Sequence, residues 1–311
     1  QCDVVLITNN KTDVTCFGAS DGTVQVSATT SNLPVSFTSN GITNSTGLFT
    51  NYSAGIHEVV ATDNIGCQDI INIIIGEPSE PLNISFAIST ITCFGNTDGS
   101  VIATVQGGTP SINGYTYNWS TGQSNSSITA LLAGSYTVTV IDSLGCTTTK
   151  TATVGEPSPI LNILSSTSTT CPNGEDGQAT IVTSGGTPNT DGSYQYVWNN
   201  TPSSTTNIAT NLTGGQTYLV TIIDANGCLG YDSVTVAQPQ EIENTIQTQD
   251  ISCNGFTDGS VDLTTTGGTP PFQYQWDSRV VNSNNNQASD LAVGNYVVTI
   301  TDFNGCETTT M

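Results

Sequence analysis

The sequence is almost devoid of positive charge. Lys and Arg together number 3 against 25 Asp and Glu, and only one His is present, so the formal net charge at pH 7 is −22. Because neutralising the phosphates of nucleic acid takes clustered Lys or Arg, we expect no nucleic acid among the partners. Binding to an anionic membrane surface is disfavoured for the same reason.

Long hydrophobic runs are also missing. The longest extends from Ile70 to Ile75 and is interrupted by Asn72, whereas a membrane-spanning helix needs about 18–20 apolar residues. We therefore expect no membrane insertion. No signal peptide is present either, and a chain that begins at Gln1 is what cleavage of one would leave, which predicts that Gln1 lies near the mature N-terminus.

A pattern that recurs four times fills the 311 residues. Each copy opens with a Cys shortly before an Asp-Gly turn and closes with an alternating strand followed by Asp-x-x-Gly-Cys. The spacing predicts four repeats, at 1–78, 79–157, 158–239 and 240–311, of which the first is divergent and forms an N-terminal cap. The opening cysteines are Cys16, Cys93, Cys171 and Cys253, and the closing aspartates are Asp63, Asp142, Asp224 and Asp302.

Alternation of apolar and polar residues with a period of two indicates half-buried strands, and helical periodicity is not seen. In repeat 2 the pattern predicts strands A, B, C, C′, E, F and G at 82–91, 100–106, 115–120, 122–126, 127–132, 135–141 and 146–154. Strand C carries a core Trp, at Trp119, Trp198 and Trp276, and strand F begins at a Tyr typical of a tyrosine corner. In repeat 1, Phe37 replaces the Trp and His57 replaces the Tyr.

These features predict an all-β protein of four tandem immunoglobulin/fibronectin-III-like β-sandwich repeats. Each repeat has about 80 residues, a size at which a hydrophobic core benefits from cross-links. The segments between repeats are short and rich in Pro, beginning at Gly76, Gly155 and Ala237. Such linkers are semi-rigid, so we expect the repeats to form an elongated rod.

Two disulfide schemes fit the nine cysteines. One scheme joins the two cysteines of each repeat, as Cys16–Cys67, Cys93–Cys146, Cys171–Cys228 and Cys253–Cys306. The other starts from topology, because the A–B and F–G turns of a sandwich lie at opposite ends. A strand of about seven residues separates them by roughly 23 Å, whereas a disulfide allows at most about 7 Å between Cα atoms.

End-to-end stacking would instead place the A–B turn of one repeat against the F–G turn of the next. This interdomain scheme pairs Cys2–Cys67, Cys16–Cys146, Cys93–Cys228 and Cys171–Cys306, and it leaves Cys253 to bond a following repeat. We favour the interdomain scheme, and the in-repeat scheme stays open because connectivity is not readable from sequence alone.

The aspartates of both turns are typical of turn chemistry, in which a carboxylate accepts local backbone N–H groups. A functional alternative is calcium, which takes about six to eight oxygen ligands. End-to-end stacking would gather Asp21, Glu77 and Asp142 at one junction and Asp98, Glu156 and Asp224 at the next. Apart from this possible calcium, we expect no cofactor.

No catalytic constellation is evident, so we expect the protein not to be an enzyme. The single His, His57, stands at the corner position held by Tyr elsewhere, and no nucleophile or clustered carboxylate pattern accompanies it. His57 is therefore expected to substitute for the corner Tyr. Two loops that vary between repeats, 114–122 and 280–289, are the candidates for ligand binding.

The combined pattern C-x-G-x-x-D-G, G-G-T-P, Y-x-W and D-x-x-G-C resembles the SprB-type repeat of cell-surface adhesins from gliding bacteria. The resemblance implies export by the type IX secretion system and a place in a long surface filament that a motor moves. It also implies that these repeats form the distal, N-terminal part of such a filament. The tripeptides that begin at Asp142 and Asp232 resemble O-glycosylation acceptors of that bacterial group, which would modify Ser143 and Ser233.

The sequence therefore predicts a structural and adhesive segment of a secreted, extracellular surface filament, stiffened by disulfides. Its partners would be further repeats of the same chain and a surface or polysaccharide ligand of unknown identity. Two alternatives remain open: a carbohydrate-binding repeat array of a secreted protein, and a self-assembling extracellular filament subunit.

Overall fold

The computed structural model describes residues 2–311, and all regular elements in that range are β-strands. No helix among these residues is long and apolar enough to cross a membrane. The chain divides into two compact units, Gln1–Glu156 and Pro157–Met311. The first unit contains the hydrophobic cores of repeats 1 and 2, and the second contains those of repeats 3 and 4. Gln1 lies outside the described residues, and the repeat boundaries remain predictions.

The first unit has thirteen strands. Repeat 1 contains β1 (Val5–Thr12), β2 (Gly22–Thr29), β3 (Ser36–Ser39), β4 (Ile42–Asn44), β5 (Leu48–Tyr52), β6 (Gly55–Thr62) and β7 (Gln68–Ile75). Repeat 2 contains β8 (Asn83–Ser89), β9 (Gly99–Gln106), β10 (Thr116–Trp119), β11 (Ser127–Leu131), β12 (Gly134–Ile141) and β13 (Thr147–Val154).

The second unit also has thirteen. Repeat 3 contains β14 (Leu161–Thr167), β15 (Gly177–Ser184), β16 (Gln195–Trp198), β17 (Ile208–Leu212), β18 (Thr217–Ile223) and β19 (Leu229–Thr235). Repeat 4 contains β20 (Glu243–Gln249), β21 (Gly259–Thr266), β22 (Gln273–Trp276), β23 (Asn282–Asn284), β24 (Gln287–Leu291), β25 (Val298–Thr301) and β26 (Glu307–Thr310).

Every repeat is a sandwich of two antiparallel sheets. One sheet has the order A-B-E, as in β8-β9-β11, and the other has strand F between C and G, as in β10-β12-β13. This is the immunoglobulin-like arrangement, so the predicted fold class is confirmed. The alternation places one face of each sheet in the core, as with Val138 and Val140, while Thr137 and Thr139 face outward.

The predicted strand C′ at 122–126 is wrong. Residues 122–126 of repeat 2 form no strand, and repeat 3 also has six strands in the described chain. An additional strand occurs in repeats 1 and 4 on different sheets: β4 pairs with strand C, whereas β23 pairs with strand E. The C–E connection is thus where the repeats diverge in structure.

The core aromatic of strand C is buried in three of the repeats. Trp119 and Trp198 are almost fully buried, Phe37 replaces them in repeat 1 as predicted, and Trp276 is half-buried against its core. Each indole N–H donates to a carbonyl of the C–E connection, for example Trp119 Nε1 to Asn125 O at 2.9 Å. The Trp therefore also anchors that connection, which leaves no buried N–H without an acceptor.

Strand G carries the chain from one end of the sandwich to the other. It begins at the F–G turn and ends beside the A–B turn, where Val14 N donates to Gly76 O at 3.1 Å. An eight-residue strand such as β7 spans roughly 26 Å. The A–B and F–G turns of one repeat are therefore at opposite ends, as the topology argument requires.

Candidate functional site

Each A–B turn is closed by its Asp. In repeat 1 the Asp21 carboxylate accepts hydrogen bonds from the Thr15 backbone N–H at 3.0 Å and from the Thr15 hydroxyl at 2.5 Å. The hydrogen bond from the Thr15 hydroxyl is the main cause that lowers the pKa of Asp21. The carboxylate thereby holds the residue that directly precedes the opening Cys. Equivalent pairs are Asp98 with Thr92, Asp176 with Thr170, and Asp258 with Ser252.

Each F–G turn is organised by a buried Asp. Asp142 Oδ1 accepts from the backbone N–H groups of Leu144 at 3.0 Å and Cys146 at 2.9 Å, and Oδ2 accepts from Thr109 N at 2.8 Å. Both oxygens are therefore used by backbone donors, and one of those donors belongs to the closing Cys. The Asp orients that cysteine and ties the turn to the G-G-T-P segment. Asp224 and Asp302 make the same three bonds.

Repeat 1 lacks G-G-T-P, and there the hydroxyl of Thr30 replaces the Thr backbone N–H as a hydrogen-bond donor to Asp63. Asp63 Oδ1 still accepts from Ile65 N and Cys67 N, while Oδ2 lies 3.3 Å from the Thr30 hydroxyl. Burial raises the pKa of Asp63, but the hydrogen bonds, led by that from Cys67 N, outweigh it and the net pKa is lowered. The turn keeps its geometry although the partner segment has changed.

The two glycines of G-G-T-P lie so close to neighbouring atoms that a Cβ at either position would clash. Gly107 has φ +74°, and a Cβ there would lie 2.1 Å from the carbonyl oxygen of Pro81 in the linker. A Cβ on Gly108 would lie 2.8 Å from Asp142 Oδ2. Gly108 N also donates to Glu80 O at 3.0 Å. The segment therefore packs the linker against the repeat that follows it.

The other end of the linker is bound to the repeat that precedes it. Glu77 Oε2 accepts from the backbone N–H of Gly18, in the A–B turn, at 2.9 Å. Glu156 accepts in the same way from Gly95 at 2.9 Å. Between repeats 1 and 2 the linker is thus hydrogen-bonded on both sides, which limits its freedom to bend.

Disulfides join consecutive repeats within each unit. Cys16 is bonded to Cys146 with a Cα–Cα distance of 5.7 Å, and Cys171 is bonded to Cys306 with 5.5 Å. Cys2 is bonded to Cys67, at the F–G turn of repeat 1. These are the pairs of the interdomain scheme, and the in-repeat scheme is wrong because each of its pairs includes a cysteine that is bonded elsewhere.

The remaining cysteines complete the pattern only in part. Cys93 and Cys228 both have partners, and the predicted bond between them remains a prediction. Cys253 is free and exposed. The assignment of Cys253 to a following repeat also stays a prediction.

The calcium ligand sets suggested by the sequence are not assembled. Among residues 2–311, no three His, Cys, Asp or Glu side chains are grouped so that they could hold a metal ion. Each proposed carboxylate instead accepts hydrogen bonds from backbone N–H or hydroxyl groups, either of its own turn, as in Asp21, or of a segment distant in sequence, as in Glu77. This correction applies to Asp21, Glu77 and Asp142 and to Asp98, Glu156 and Asp224.

His57 substitutes for the corner Tyr, as expected. Its Nε2 lies 2.8 Å from the carbonyl oxygen of Ser53, so this nitrogen carries the proton, and Nδ1 then accepts from Asn40 Nδ2 at 3.2 Å. The ring also stacks on Tyr52, with 4.3 Å between centroids. The same bond to the carbonyl four residues earlier is made by the hydroxyls of Tyr136 and Tyr296.

The two predicted glycosylation sites are exposed. Ser143 lies in the F–G turn, where its hydroxyl donates to Thr109 O at 2.7 Å. Ser233 lies on β19 with its side chain outward. Modification of either residue stays a prediction.

Comparison with solved structures finds distant similarity to proteins made of several domains in tandem. The three N-terminal domains of the bacteriophage RB49 Highly Immunogenic Outer Capsid protein are 15% identical over 76% of this chain and 99% of that chain, with a TM-score of 0.37. Invasin, a bacterial integrin-binding protein, is 12% identical over 99% of this chain and 78% of its own, with a TM-score of 0.32.

The N-terminal eight Ig domains of Down Syndrome Cell Adhesion Molecule are 13% identical over 99% of this chain, with a TM-score of 0.30. The chain spans 47% of that structure's length. No curated protein matches the chain in sequence.

A family match covers rather more than a third of the chain. The family model of the SprB repeat matches residues 8–44, 85–124 and 245–280. These segments begin in strand A of repeats 1, 2 and 4, so the divergent first repeat is included. Three regions of the chain thus match the SprB repeat, which confirms the resemblance seen in the sequence motifs.

Proposed function

We propose that the chain is a structural and adhesive segment of a secreted bacterial surface filament, in the distal N-terminal part of a gliding-motility adhesin exported by the type IX secretion system. The observation that carries this proposal is the covalent bond between consecutive repeats, at Cys16–Cys146 and Cys171–Cys306. Disulfides persist in oxidising compartments, which favours an extracellular location. The role is mechanical and non-enzymatic.

The disulfides suit a load-bearing role because they shorten the covalent path along the chain. From Cys2, that path follows the backbone to Cys16, crosses to Cys146, continues to Cys171, crosses to Cys306 and reaches Met311. It contains roughly 45 residues and spans at most about 160 Å, whereas the backbone of all 311 residues would reach about 1,100 Å. Unfolding of a repeat would thus release little length.

Bonded linkers complement the disulfides. Glu77 attaches the first linker to the A–B turn behind it, and the carbonyl of Glu80 accepts from Gly108 ahead of it. Repetition of such bonded linkers suits an array in which each repeat contacts its neighbours. The predicted Cys93–Cys228 bond, and a bond from Cys253 to a following repeat, would extend the same pattern.

The location is tested by immuno-electron microscopy on the bacterium that makes the protein, with an antibody raised against the purified chain. We expect label outside the outer membrane, displaced from it by tens of nanometres, and loss of label after mild protease treatment of intact cells. An in-frame deletion of the four repeats should reduce attachment of cells to glass. Label confined to the cell interior, or unchanged attachment, would contradict the proposal.

A further inference from the structure

Repeat 3 has an open groove on the side where its two sheets are not closed by an extra strand. The groove has a volume of about 460 Å³, within the range of about 300–1,000 Å³ typical of ligand sites. In repeat 1 the corresponding C–E connection forms β4, and in repeat 4 it forms β23. In repeat 3 residues 199–207 form no strand, as is also true of residues 120–126 in repeat 2, and part of this connection lines the groove.

Tyr194, directly before strand C, and Tyr196, on strand C, form one wall of the groove. Tyr194 and Tyr196 are half-buried, and the Tyr194 hydroxyl donates to Gly185 O at 2.7 Å, which fixes the orientation of that ring. Strand B borders the groove, where Ile181 belongs to the core and Val182, on the opposite face of the strand, is 60% exposed. The groove therefore offers aromatic surface that the core does not fully cover.

Polar groups border this apolar surface. The C–E connection contributes Thr206 and Asn207, and strand B contributes Thr183. Tyrosine rings next to hydroxyl and amide groups match a sugar, because the C–H face of a pyranose packs on an aromatic ring while its hydroxyls exchange hydrogen bonds with such side chains. The composition indicates a polyhydroxylated ligand.

The negative charge of repeat 3 favours uncharged over anionic carbohydrates. The segment 158–239 contains no Lys or Arg, and Asp191 lies next to the groove residue Gly192. An anionic polysaccharide would meet only like charge, in a chain whose net charge is −22. An uncharged ligand incurs no such repulsion.

We propose that the groove of repeat 3, formed by Tyr194, Tyr196, Thr183, Thr206 and Asn207, binds a neutral oligosaccharide or polysaccharide strand. The inference takes its biological setting from the adhesive role proposed above. Its test uses the purified chain alone, so a failure to bind glycans and a failure to find the protein on the cell surface are separate results.

The test is affinity electrophoresis of the full chain in gels containing dextran, laminarin or galactomannan, with alginate as the anionic comparison and mobilities normalised to a gel without polysaccharide. At least one neutral polysaccharide should retard the chain, and alginate should not. Thr206→Lys, in the exposed C–E connection that lines the groove, should weaken the retardation at least tenfold. The matched control is Val197→Lys, which alters an exposed Val on the outer face of strand C and should bind as the unmodified chain does.

A second pair keeps the result interpretable if one variant folds poorly. Tyr196→Ala removes a ring from the groove, whereas Tyr231→Ala removes a ring that is 69% exposed on the other face of the same repeat. Only the first should lose binding, with circular dichroism confirming that both are folded. The proposal is overturned if no neutral polysaccharide retards the chain, if alginate retards it equally, or if the control variants lose binding as much as the groove variants do.

Discussion

The disulfide between Cys171 and Cys306 determines how far the second unit can extend when it unfolds under force. Consider the chain held by handles at Ser158 and Met311. With the bridge intact, the covalent path between the handles contains roughly 18 residues and reaches about 65 Å. In the double variant Cys171→Ser, Cys306→Ser the path regains the sequence separation of 135 residues, which adds about 470 Å of contour length at about 3.5 Å per residue.

The assay is single-molecule force spectroscopy in oxidising buffer. The unmodified chain should unfold with almost no gain in length, and the double variant should reach a final contour length longer by about 470 Å. Treating the unmodified chain with a reductant provides the control, because it should reproduce the extension of the double variant. Should the oxidised chain extend as far as the variant, the disulfide would not lie on the load path and the mechanical proposal would be wrong.

Three further predictions concern the turns. Asp302→Asn should lower the free energy of unfolding by about 1–3 kcal/mol in urea titrations because the buried carboxylate loses an acceptor for Thr269 N, while exposed Asp250→Asn should have little effect. Gly41→Ala should lower the free energy of unfolding by roughly 1–2 kcal/mol, because Gly41 has a positive φ and open space around it. Gly267→Ala should lower it by about 1–3 kcal/mol more, because its Cβ would also lie 1.9 Å from Glu241 O. Threonine hydrogen bonds lower the pKa of Asp21, Asp98 and Asp176 below the ordinary value of 3.8. The ionised carboxylates therefore contribute their full stabilisation of the fold above pH 3.8, and this stabilisation is lost as the pH falls through the lowered pKa values. Urea midpoints should therefore drop in that acidic range, and less so in Thr15→Val; equal drops would contradict the assignment.

Strands A, B, C, E, F and G and the three observed disulfides agree with the sequence prediction, because they depend on local alternation and on topology. Alternating residues such as Val138 and Val140 define the buried face. Seven-residue or eight-residue strands then separate the two turns by more than a disulfide can span. The distance between the turns favoured the interdomain scheme over Cys16–Cys67, and the observed partner of Cys16 is Cys146.

The hydrogen-bond partners of the junction carboxylates could not be predicted from alternation and topology. Asp142 has its Thr109 partner 33 residues earlier, and Glu77 has its Gly18 partner 59 residues earlier. The sequence shows recurrent acidic residues at the junctions, and either calcium ligands or hydrogen-bonded turns fit that pattern. G-G-T-P occurs in the three repeats in which its Thr N–H donates to the Asp of the F–G turn. This recurrence was the one sequence feature that pointed to hydrogen-bonded turns, and only the folded chain shows that the two segments are in contact.

The groove of repeat 3 also depends on the packed chain. Its tyrosines appear in the sequence as core positions of strand C, and they do pack partly against the core. The second role proposed for them depends on the C–E connection, whose residues Thr205 to Asn207 line the groove beside the tyrosines. Local periodicity and turn chemistry thus determined the sandwich and its cross-links, whereas contacts between residues distant in sequence decided which polar groups are used internally and which surface stays open to a ligand.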